Sequence, residues 1–341
     1  MAAAQERPLV DVDHEHWMER AIANAARVRC FTTPNPWVGA VLVTADGRAF
    51  DGATQPPGGP HAERVALDAG GAAAGGATLY ATLEPCAHQG RTGPCTDALI
   101  AAGVIRVVVG TLDPDPLVAG RGIAQLRAAG IVVDVGVNEG AVSEQLAPYL
   151  WHRRTGRPWV VLKLAATLDG RTAAPDGTSQ WITGEAARAD VHRLRAESDA
   201  MIVGAGTVRA DDPALDVRLP EPPNGPWRQP RRIVLGTAAG DAKIRPCEEW
   251  KGPLDELLDW LGATGVIQAM VEGGASTAAA FHRAGLVNRY VVYLAPALLG
   301  GDDGRPLFAG PGAESMRDIW RGNLRRVDRF GDDVRLVIDR P

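Results

Sequence analysis

One histidine, one glutamate and two cysteines have the types and spacing of a catalytic metal site. His61 and Glu63 form a His-x-Glu motif, while Cys86 follows a proline and is separated from Cys95 by the eight residues AHQGRTGP. One imidazole and two thiolates suit Zn²⁺, and three protein ligands leave a fourth tetrahedral position for water, as in catalytic zinc sites. Glu63 lies two residues from His61, so on a helix the two side chains do not share a face. We therefore predict that Glu63 moves protons beside the metal.

The elements around these residues favour a metal site over the alternative, in which Cys86 and Cys95 are ordinary buried cysteines and His61 caps a helix. His61 begins a predicted helix, Cys86 follows a predicted strand, and Cys95 precedes another predicted helix. A helix N-terminus promotes ionisation of a thiol, and the thiolate is the form that binds zinc. Cys30 and Cys247 have no such context, and we interpret both as structural.

The first half of the chain alternates helix and strand patterns. Apolar residues at helical spacing or in short continuous runs predict helices over 14–29, 61–71, 96–103, 120–130 and 138–150, and strands over 38–43, 78–83, 104–110 and 131–137. Repeated strand–helix–strand units indicate a mostly parallel sheet covered by helices.

The second half repeats this α/β pattern after the short basic segment HRRTGRP (152–158), which we interpret as a linker. The same criteria predict strands over 159–165, 200–206, 231–236, 266–274, 289–296 and 334–339, and helices over 184–197, 254–263 and 275–285. We therefore expect two domains, residues 1–150 and residues 151–341.

Composition excludes several classes of protein. The 341 residues suffice for about two domains, and four cysteines are too few for a disulfide framework. The N-terminal segment MAAAQERPLVDVD has no apolar core of a signal peptide, and no apolar run approaches the roughly 18 residues of a membrane span. A net charge of −5 gives no general attraction for nucleic acid. We expect a cytoplasmic protein that binds neither membranes nor nucleic acid.

The metal motif resembles that of the zinc-dependent cytidine-deaminase-like superfamily, His-x-Glu…Pro-Cys-x-x-Cys, with a longer separation between the cysteines. The segments TTPNPWVGAVLV (32–43), TLEPCAHQGRTGPCTDALIAAGV (82–104), KLAATLDGRTAAPDGTSQWIT (163–183), VGAGTVRADDPALDVR (203–218) and VEGGASTAAAFHRAGLVNRYVVYLAPALLGG (271–301) resemble the bifunctional riboflavin-biosynthesis deaminase/reductases. That resemblance implies a cytidine-deaminase-like α/β/α domain followed by a dihydrofolate-reductase-like α/β domain.

For the first domain the resemblance implies a zinc-dependent deaminase, a hydrolase acting on 2,5-diamino-6-(5-phosphoribosylamino)pyrimidin-4(3H)-one. Water attacks the carbon that carries the exocyclic amine, and Glu63 transfers a proton from it to the departing ammonia. The implied substrate-binding residues are Asn35, Arg91 and Asp113. Asn35 has an alternative role as a turn residue. Asp115 and Thr54 stand where the family more often has Asn and His.

For the second domain the resemblance implies an NADPH-dependent oxidoreductase that converts the ribosyl group to ribityl. No Gly-x-Gly-x-x-Gly motif occurs, which argues against a Rossmann domain. The implied cofactor-binding residues are Ala165, Trp181, Thr207, Asp211, Thr237, Gly274, Ala275, Ser276 and Thr277. The implied substrate-binding residues are Ser179, Arg195, Leu215, Arg218 and Glu272. Lys163 and Asp169 are candidate proton donors, and either could equally be structural.

Three alternatives stay open at this point. Segment 236–252 is shorter than is usual in the family, so a related enzyme of a specialised pathway, with an altered or degenerate reductase domain, is the main one. A nucleic-acid-editing deaminase conflicts with the acidic charge and the second domain. A zinc-stabilised binding module without catalysis conflicts with the open coordination position. We also expect a homo-oligomer, either a dimer or a tetramer.

Overall fold

The computed structural model describes residues 13–88, 93–116, 118–221 and 225–341. The chain divides into two compact units, the first ending at Leu150 and the second beginning at Trp151. Among the described residues, no helix has the length and apolar character needed to cross a bilayer.

The first unit contains a five-stranded sheet in the order β2-β1-β3-β4-β5. Its strands are β1 (Gly39–Val43), β2 (Ala49–Ala53), β3 (Thr78–Leu83), β4 (Arg106–Thr111) and β5 (Val132–Val135). Strand β1 is antiparallel to β2 and β3, whereas β3, β4 and β5 are parallel. The prediction of a mostly parallel sheet therefore holds for β3, β4 and β5 but not for β1 and β2. The Asp46-Gly47 turn, with a φ of +84° at Gly47, joins β1 and β2 as a hairpin.

Helices cover this sheet on both faces. They are α1 (His14–Ala26), α2 (Ala62–Gly70), α3 (Cys95–Ala101), α4 (Arg121–Ala128), α5 (Glu139–Gln145) and α6 (Ala147–Thr155), with a 3₁₀ turn over Gly71–Ala74. Helices α1 and α5 contact each other, as do α2, α3 and α4 in sequence order. The single helix predicted over 138–150 is in fact two helices. The predicted linker 152–158 is helical as far as Thr155.

The second unit contains an eight-stranded sheet in the order β10-β9-β8-β11-β6-β12-β15-β14. Its strands are β6 (Trp159–Thr167), β8 (Ala200–Gly204), β9 (Arg231–Leu235), β10 (Glu248–Trp250), β11 (Gln268–Val271), β12 (Arg289–Ala295), β14 (Asn323–Phe330) and β15 (Asp333–Asp339). All pairings from β10 to β12 are parallel, and β15 pairs antiparallel with β12 and β14. The short strands β7 (Arg171–Ala173) and β13 (Arg305–Pro306) form a separate antiparallel pair.

The helices of the second unit pack against two apolar cores. They are α7 (Glu185–Ala196), α8 (Ala205–Asp211), α9 (Leu254–Ala263) and α10 (Ala275–Arg283). Leu162 of β6 packs with apolar residues of α9 and α10, and its neighbour Val161 packs with those of α7 and α8. Since successive side chains of a strand point to opposite faces, the sheet is sandwiched between these helix pairs. Segment 236–252 contributes the fully buried Ile244 to the second core and includes β10.

A buried ionic network joins α7 to the last two strands. Arg335 of β15 forms ion pairs with Asp190 of α7 and with Asp328 of β14, the latter at 2.6 Å. The Tyr293 hydroxyl donates to Asp190 at 2.6 Å, and Asp333 accepts from the Gly184 N–H before α7 at 2.7 Å. Removing one partner of a buried ion pair typically costs about 3–5 kcal/mol of stability, so this network holds α7 firmly on the sheet.

Candidate active sites

The three predicted metal ligands converge in the first unit. His61 is the residue before α2, Cys86 follows β3, and Cys95 is the first residue of α3. The Nδ1 atom of His61 lies 3.5 Å from Sγ of Cys86 and 3.4 Å from Sγ of Cys95. All three ligand atoms lie within 4.8 Å of one another. Gly52 permits this arrangement, because a Cβ there would lie 2.0 Å from the carbonyl of Ala62 in α2.

The donor set and its distances fit zinc. Bonds of about 2.3 Å to sulfur and about 2.0 Å to nitrogen, at a tetrahedral angle, place the two donor atoms about 3.5 Å apart. The two observed N–S distances agree with this value. The Cys95 N–H also donates to Sγ of Cys86 at 3.4 Å, which stabilises a thiolate there.

Glu63 lies beside this triad in the first turn of α2 and is only 4% exposed. Burial raises the pKa of Glu63 to about 7, and the nearby Cys86 adds to the effect. A carboxyl group with a pKa close to the working pH can both accept and release a proton. This environment fits the predicted proton transfer by Glu63.

Two predicted substrate residues of the first unit, Asn35 and Asp113, lie in the loops before β1 and after β4. The buried Asp113 accepts from the Tyr149 hydroxyl at 3.0 Å and from the Asp115 N–H at 2.9 Å. Asn35 donates its N–H to the Thr32 carbonyl at 2.8 Å, as a turn residue does. Arg91 lies outside the described residues.

Sequence reasoning missed Glu84, which directly follows β3 and lies two residues before Cys86. Its buried carboxylate accepts hydrogen bonds from the backbone N–H groups of Gly120, Gly122 and Ile123, at 3.0, 3.0 and 3.3 Å. These groups surround the start of α4, where N–H groups lack intrahelical acceptors. A glutamate directly before Pro-Cys, together with a Gly-x-Gly at the start of the helix predicted over 120–130, is the signal that could have indicated this contact.

Three charged residues converge in the second unit at the carboxyl end of β11. Glu272 follows β11, and its carboxylate lies 2.9 Å from Arg195 of α7 and 3.5 Å from Lys163 of β6. Burial alone raises the pKa of Glu272, but the charges of Lys163 and Arg195 outweigh burial and lower that pKa to about 2. Glu272 is therefore ionised, and two predicted substrate residues, Arg195 and Glu272, are in direct contact.

The β8–α8 and β11–α10 junctions lie close together and unite several predicted cofactor residues. The Gly274 N–H donates to the hydroxyl of Thr207, in the first turn of α8, at 2.9 Å. A Cβ on Gly204 would lie 2.4 Å from Oγ1 of Thr277, so this glycine allows the two junctions to approach. A Cβ on Gly206 would meet no atom within 4 Å. Together with the N-terminus of α10, which includes Ala275 and Ser276, these junctions form a cradle suited to phosphate.

The other predicted residues of the second unit lie on several different elements. Ser179 donates to Asp211 at 3.1 Å, while Trp181 is 69% exposed and its ring lies 4.6 Å from the guanidinium of Arg188. Leu215 is buried with a φ of +49°. Arg218 pairs with Asp216 at 2.6 Å. Ala165 lies on β6, and Thr237 follows β9.

The carboxylate of Asp169, a candidate proton donor, is hydrogen-bonded to the loop that contains Leu299 and Gly300. It accepts from the N–H groups of Leu299 at 3.2 Å and Gly300 at 2.8 Å, and from the Thr167 hydroxyl at 2.5 Å. The bonds from Thr167 and Gly300 lower the pKa of Asp169 to about 2. The carboxylate therefore carries no proton near neutral pH.

Comparison with known proteins identifies both units. Residues 11–111 match the cytidine and deoxycytidylate deaminase zinc-binding region, and residues 158–336 match the RibD C-terminal domain. The chain is 42% identical to the riboflavin biosynthesis protein RibD of Escherichia coli, over 94% of this chain and 98% of that protein. It is 46% identical to the RibD protein of Corynebacterium ammoniagenes, over 89% and 91% of the two chains.

Solved structures of this family have the same fold over nearly the whole chain. A structure of RibD from Acinetobacter baumannii superimposes with a TM-score of 0.89 at 39% identity, covering 96% of this chain and 98% of that one. The deaminase/reductase of Thermotoga maritima gives a TM-score of 0.86 at 31% identity, covering 96% and 99%.

These matches span both domains in the predicted order, and they do not favour the alternative of a specialised enzyme with a degenerate reductase. The chain therefore belongs to the RibD family, the bifunctional riboflavin biosynthesis enzymes that combine a zinc-dependent deaminase domain with an NADPH-dependent reductase domain.

Proposed function

We propose that the two units, with their boundary at residues 150 and 151, perform successive steps on one pyrimidine. The first deaminates 2,5-diamino-6-(5-phosphoribosylamino)pyrimidin-4(3H)-one, and the second reduces the ribosyl group of the product to ribityl. The observation that carries the proposal is the approach of His61 Nδ1 to both cysteine sulfurs, at 3.5 and 3.4 Å, beside the buried Glu63.

In the deaminase, His61, Cys86 and Cys95 hold zinc, and Glu63 moves the proton. When bound, zinc supplies a water molecule of lowered pKa as the nucleophile. Glu63, whose pKa burial raises to about 7, would accept a proton from the attacking water and deliver it to the departing ammonia. Asn35, Arg91 and Asp113 contact the substrate, with the forked donors of Arg91 suited to its phosphate.

In the reductase, the cradle holds the cofactor and the charged cluster orients the sugar. NADPH supplies the hydride when bound. We assign cofactor contacts to Ala165, Trp181, Thr207, Asp211, Thr237, Gly274, Ala275, Ser276 and Thr277. Substrate contacts fall to Ser179, Arg195, Leu215, Arg218 and Glu272. The cofactor assignment is supported by the hydrogen bond between Thr207 and Gly274. The substrate assignment is supported by the ion pair between Arg195 and Glu272.

Between the two candidate proton donors, we propose Lys163. Its ammonium group lies in the cluster with Glu272, where the predicted substrate residues Arg195 and Glu272 are in direct contact. Asp169 is held as a carboxylate by backbone N–H groups, and a carboxylate has no proton to give.

Turnover of the diaminopyrimidine phosphoribosyl substrate with zinc and NADPH tests the function. We expect ammonia release first, followed by oxidation of one NADPH per ammonia, each recorded separately. The Cys86→Ser variant should lose the first signal, and Cys30→Ser serves as its matched control. Absence of ammonia release by the zinc-loaded wild-type protein would contradict the deaminase assignment.

We further propose a homo-oligomer, dimer or tetramer, in the cytoplasm. Light scattering measures the oligomeric state, and cell fractionation measures the location. A monomer in light scattering, or recovery outside the cytoplasm, would contradict the respective proposal.

A further inference from the structure

We infer that helix α4 is the template that sets the separation of the two cysteine ligands, and that Glu84 is the positioning residue that fixes Cys86 to it. The inference rests on the proposed zinc site of His61, Cys86 and Cys95. Helix α4 contributes no ligand to that triad, yet it is bonded to the chain on both sides of the eight-residue insertion between the cysteines.

The first attachment is the carboxylate of Glu84. It is 3% exposed, and both of its oxygens accept backbone N–H groups: Oε2 from Gly120, and Oε1 from Gly122 and Ile123. A carboxylate at a helix N-terminus is favoured by the helix dipole and by charge-assisted hydrogen bonds. Because only Pro85 separates Glu84 from Cys86, this bond network fixes the backbone that carries the first thiolate.

The second attachment joins α4 to the start of α3, beside Cys95. The Thr96 hydroxyl donates to Oε1 of Gln125 at 2.9 Å, and Nε2 of Gln125 donates to Asp97 at 2.6 Å. The Thr96 N–H also donates to the Cys86 carbonyl at 3.2 Å. One residue of α4 thus holds the turn that begins with the second thiolate.

Direct backbone packing completes the template. A Cβ on Gly122 would lie 2.0 Å from the carbonyl oxygen of Pro85. That oxygen is a backbone atom and cannot rotate away as the end of a flexible side chain could. The absence of a side chain at Gly122 therefore allows α4 to rest against the residue before Cys86.

Loss of the contacts between Glu84 and α4 should weaken zinc binding. Residues that orient metal ligands typically change metal affinity by about 10–100-fold when they are mutated. In a Glu84→Gln variant, the amide NH₂ would face N–H donors, so at least one of the hydrogen bonds is lost. We expect about 10–100-fold weaker zinc binding and an altered thiolate-to-metal absorption band in the Co²⁺-substituted protein.

The experiment measures zinc affinity by competition with a chromophoric chelator, together with the Co²⁺ spectrum, in the full-length protein. The variants are Glu84→Gln, Gly122→Ala and the milder Gln125→Ala. Matched controls come from α5 of the same unit: Glu139→Gln, an exposed glutamate in a first helical turn, and Gly140→Ala, whose Cβ would meet no atom within 4 Å.

Weaker zinc binding and a shifted Co²⁺ band in the three variants, with wild-type values in both controls, would support the template. Gln125→Ala provides the test if either of the other two variants fails to fold. Wild-type zinc affinity and a wild-type Co²⁺ spectrum in every folded variant would overturn the template proposal. His61→Ala and Cys86→Ser distinguish failure of the ligand assignment from failure of the template proposal. If these two variants retain zinc, the ligand assignment is wrong. If they lose zinc while the α4 and Glu84 variants bind it normally, only the template proposal is wrong.

Discussion

Glu63 and Glu272 are both shielded glutamates, yet their environments move their pKa values in opposite directions. Burial raises the pKa of Glu63 to about 7, whereas Lys163 and Arg195 outweigh burial and lower the pKa of Glu272 to about 2. The first carboxyl group is suited to exchanging protons near neutral pH. The second is a permanent anion that holds two cations in place.

Replacing Glu63 tests its assignment as the proton carrier. We expect Glu63→Gln to slow ammonia release by about 10²–10⁴-fold, the usual contribution of general acid–base catalysis, because an amide cannot accept the proton of water. Zinc content, measured by atomic absorption, should stay at the wild-type level. Ammonia release at the wild-type rate would remove Glu63 from the reaction.

Replacing Glu272 tests the charged cluster through pH. The folded-state pKa of about 2 lies below the ordinary value of 4.5, so the ionised carboxylate stabilises the fold above about pH 5 and this stabilisation is lost as the pH falls toward 2. Its full size is about 3 kcal/mol. We expect Glu272→Gln to be less stable than the wild type at pH 7, with the difference in unfolding free energy about 2 kcal/mol smaller at pH 3.

Urea unfolding at both pH values measures that difference, and the exposed Glu256→Gln variant provides the control. A gap that does not change with pH would show that Glu272 makes no stabilising ion pair.

The zinc triad was predictable from sequence because each ligand borders an element that the hydrophobic pattern also indicates. His61 starts a helix, Cys86 follows a strand and Cys95 starts a helix. Glu84 was not predictable in the same way, since its partners are backbone N–H groups 36 to 39 residues away. The only signals are indirect, namely the Glu-Pro-Cys sequence and the Gly-x-Gly at 120–122.

At the scale of elements, glycines determine how closely the loops around the second site approach. The β8–α8 and β11–α10 connections meet where Gly204 faces Thr277. A Cβ at position 204 would collide with Oγ1 of Thr277, so Thr277 or the backbone that carries it would have to shift. The geometry of the proposed cofactor site would therefore depend on a residue that need not touch the cofactor.

A methyl group at this position should consequently weaken cofactor binding. We expect Gly204→Ala to raise the Kd for NADPH about tenfold, which corresponds to about 1.4 kcal/mol and lies within the usual cost of overpacking. Fluorescence titration with NADPH measures the change. The Gly240→Ala variant, whose Cβ would meet no atom within 4 Å, should bind NADPH normally, and equal affinities in both variants would contradict the prediction.

The central elements were predictable and the peripheral ones were not. Buried strands such as β3 and β8 are continuous apolar runs, which the hydrophobic pattern identifies directly. Strand β14 was missed because it is the exposed edge of the sheet and its sequence, NLRRVDRF, is mostly charged. Helix α8 was assigned in part to a strand because two glycines flank Ala205, and glycine is a poor helix former.

For the whole molecule, the two sites belong to separate compact units with different requirements. Removal of zinc with a chelator should abolish ammonia release while NADPH binding, and oxidation of NADPH by the deaminated intermediate, continue. Parallel assays of ammonia and NADPH absorbance measure the two activities, and readdition of Zn²⁺ serves as the control. Loss of both activities on chelation would contradict separate sites.

The position of strand β15 affects how the chain folds while the ribosome is synthesising it. This strand lies between β12 and β14, inside the sheet, and it carries the buried Arg335 that pairs with Asp190 of α7. Domains generally fold as units during synthesis, N-terminal first, so the first unit can acquire its structure while the ribosome is still translating the second. The sheet of the second unit, by contrast, lacks β15 until Asp339 has left the ribosome. During that interval the edge of β12 that pairs with β15 is unpaired, and unpaired strand edges are prone to aggregation.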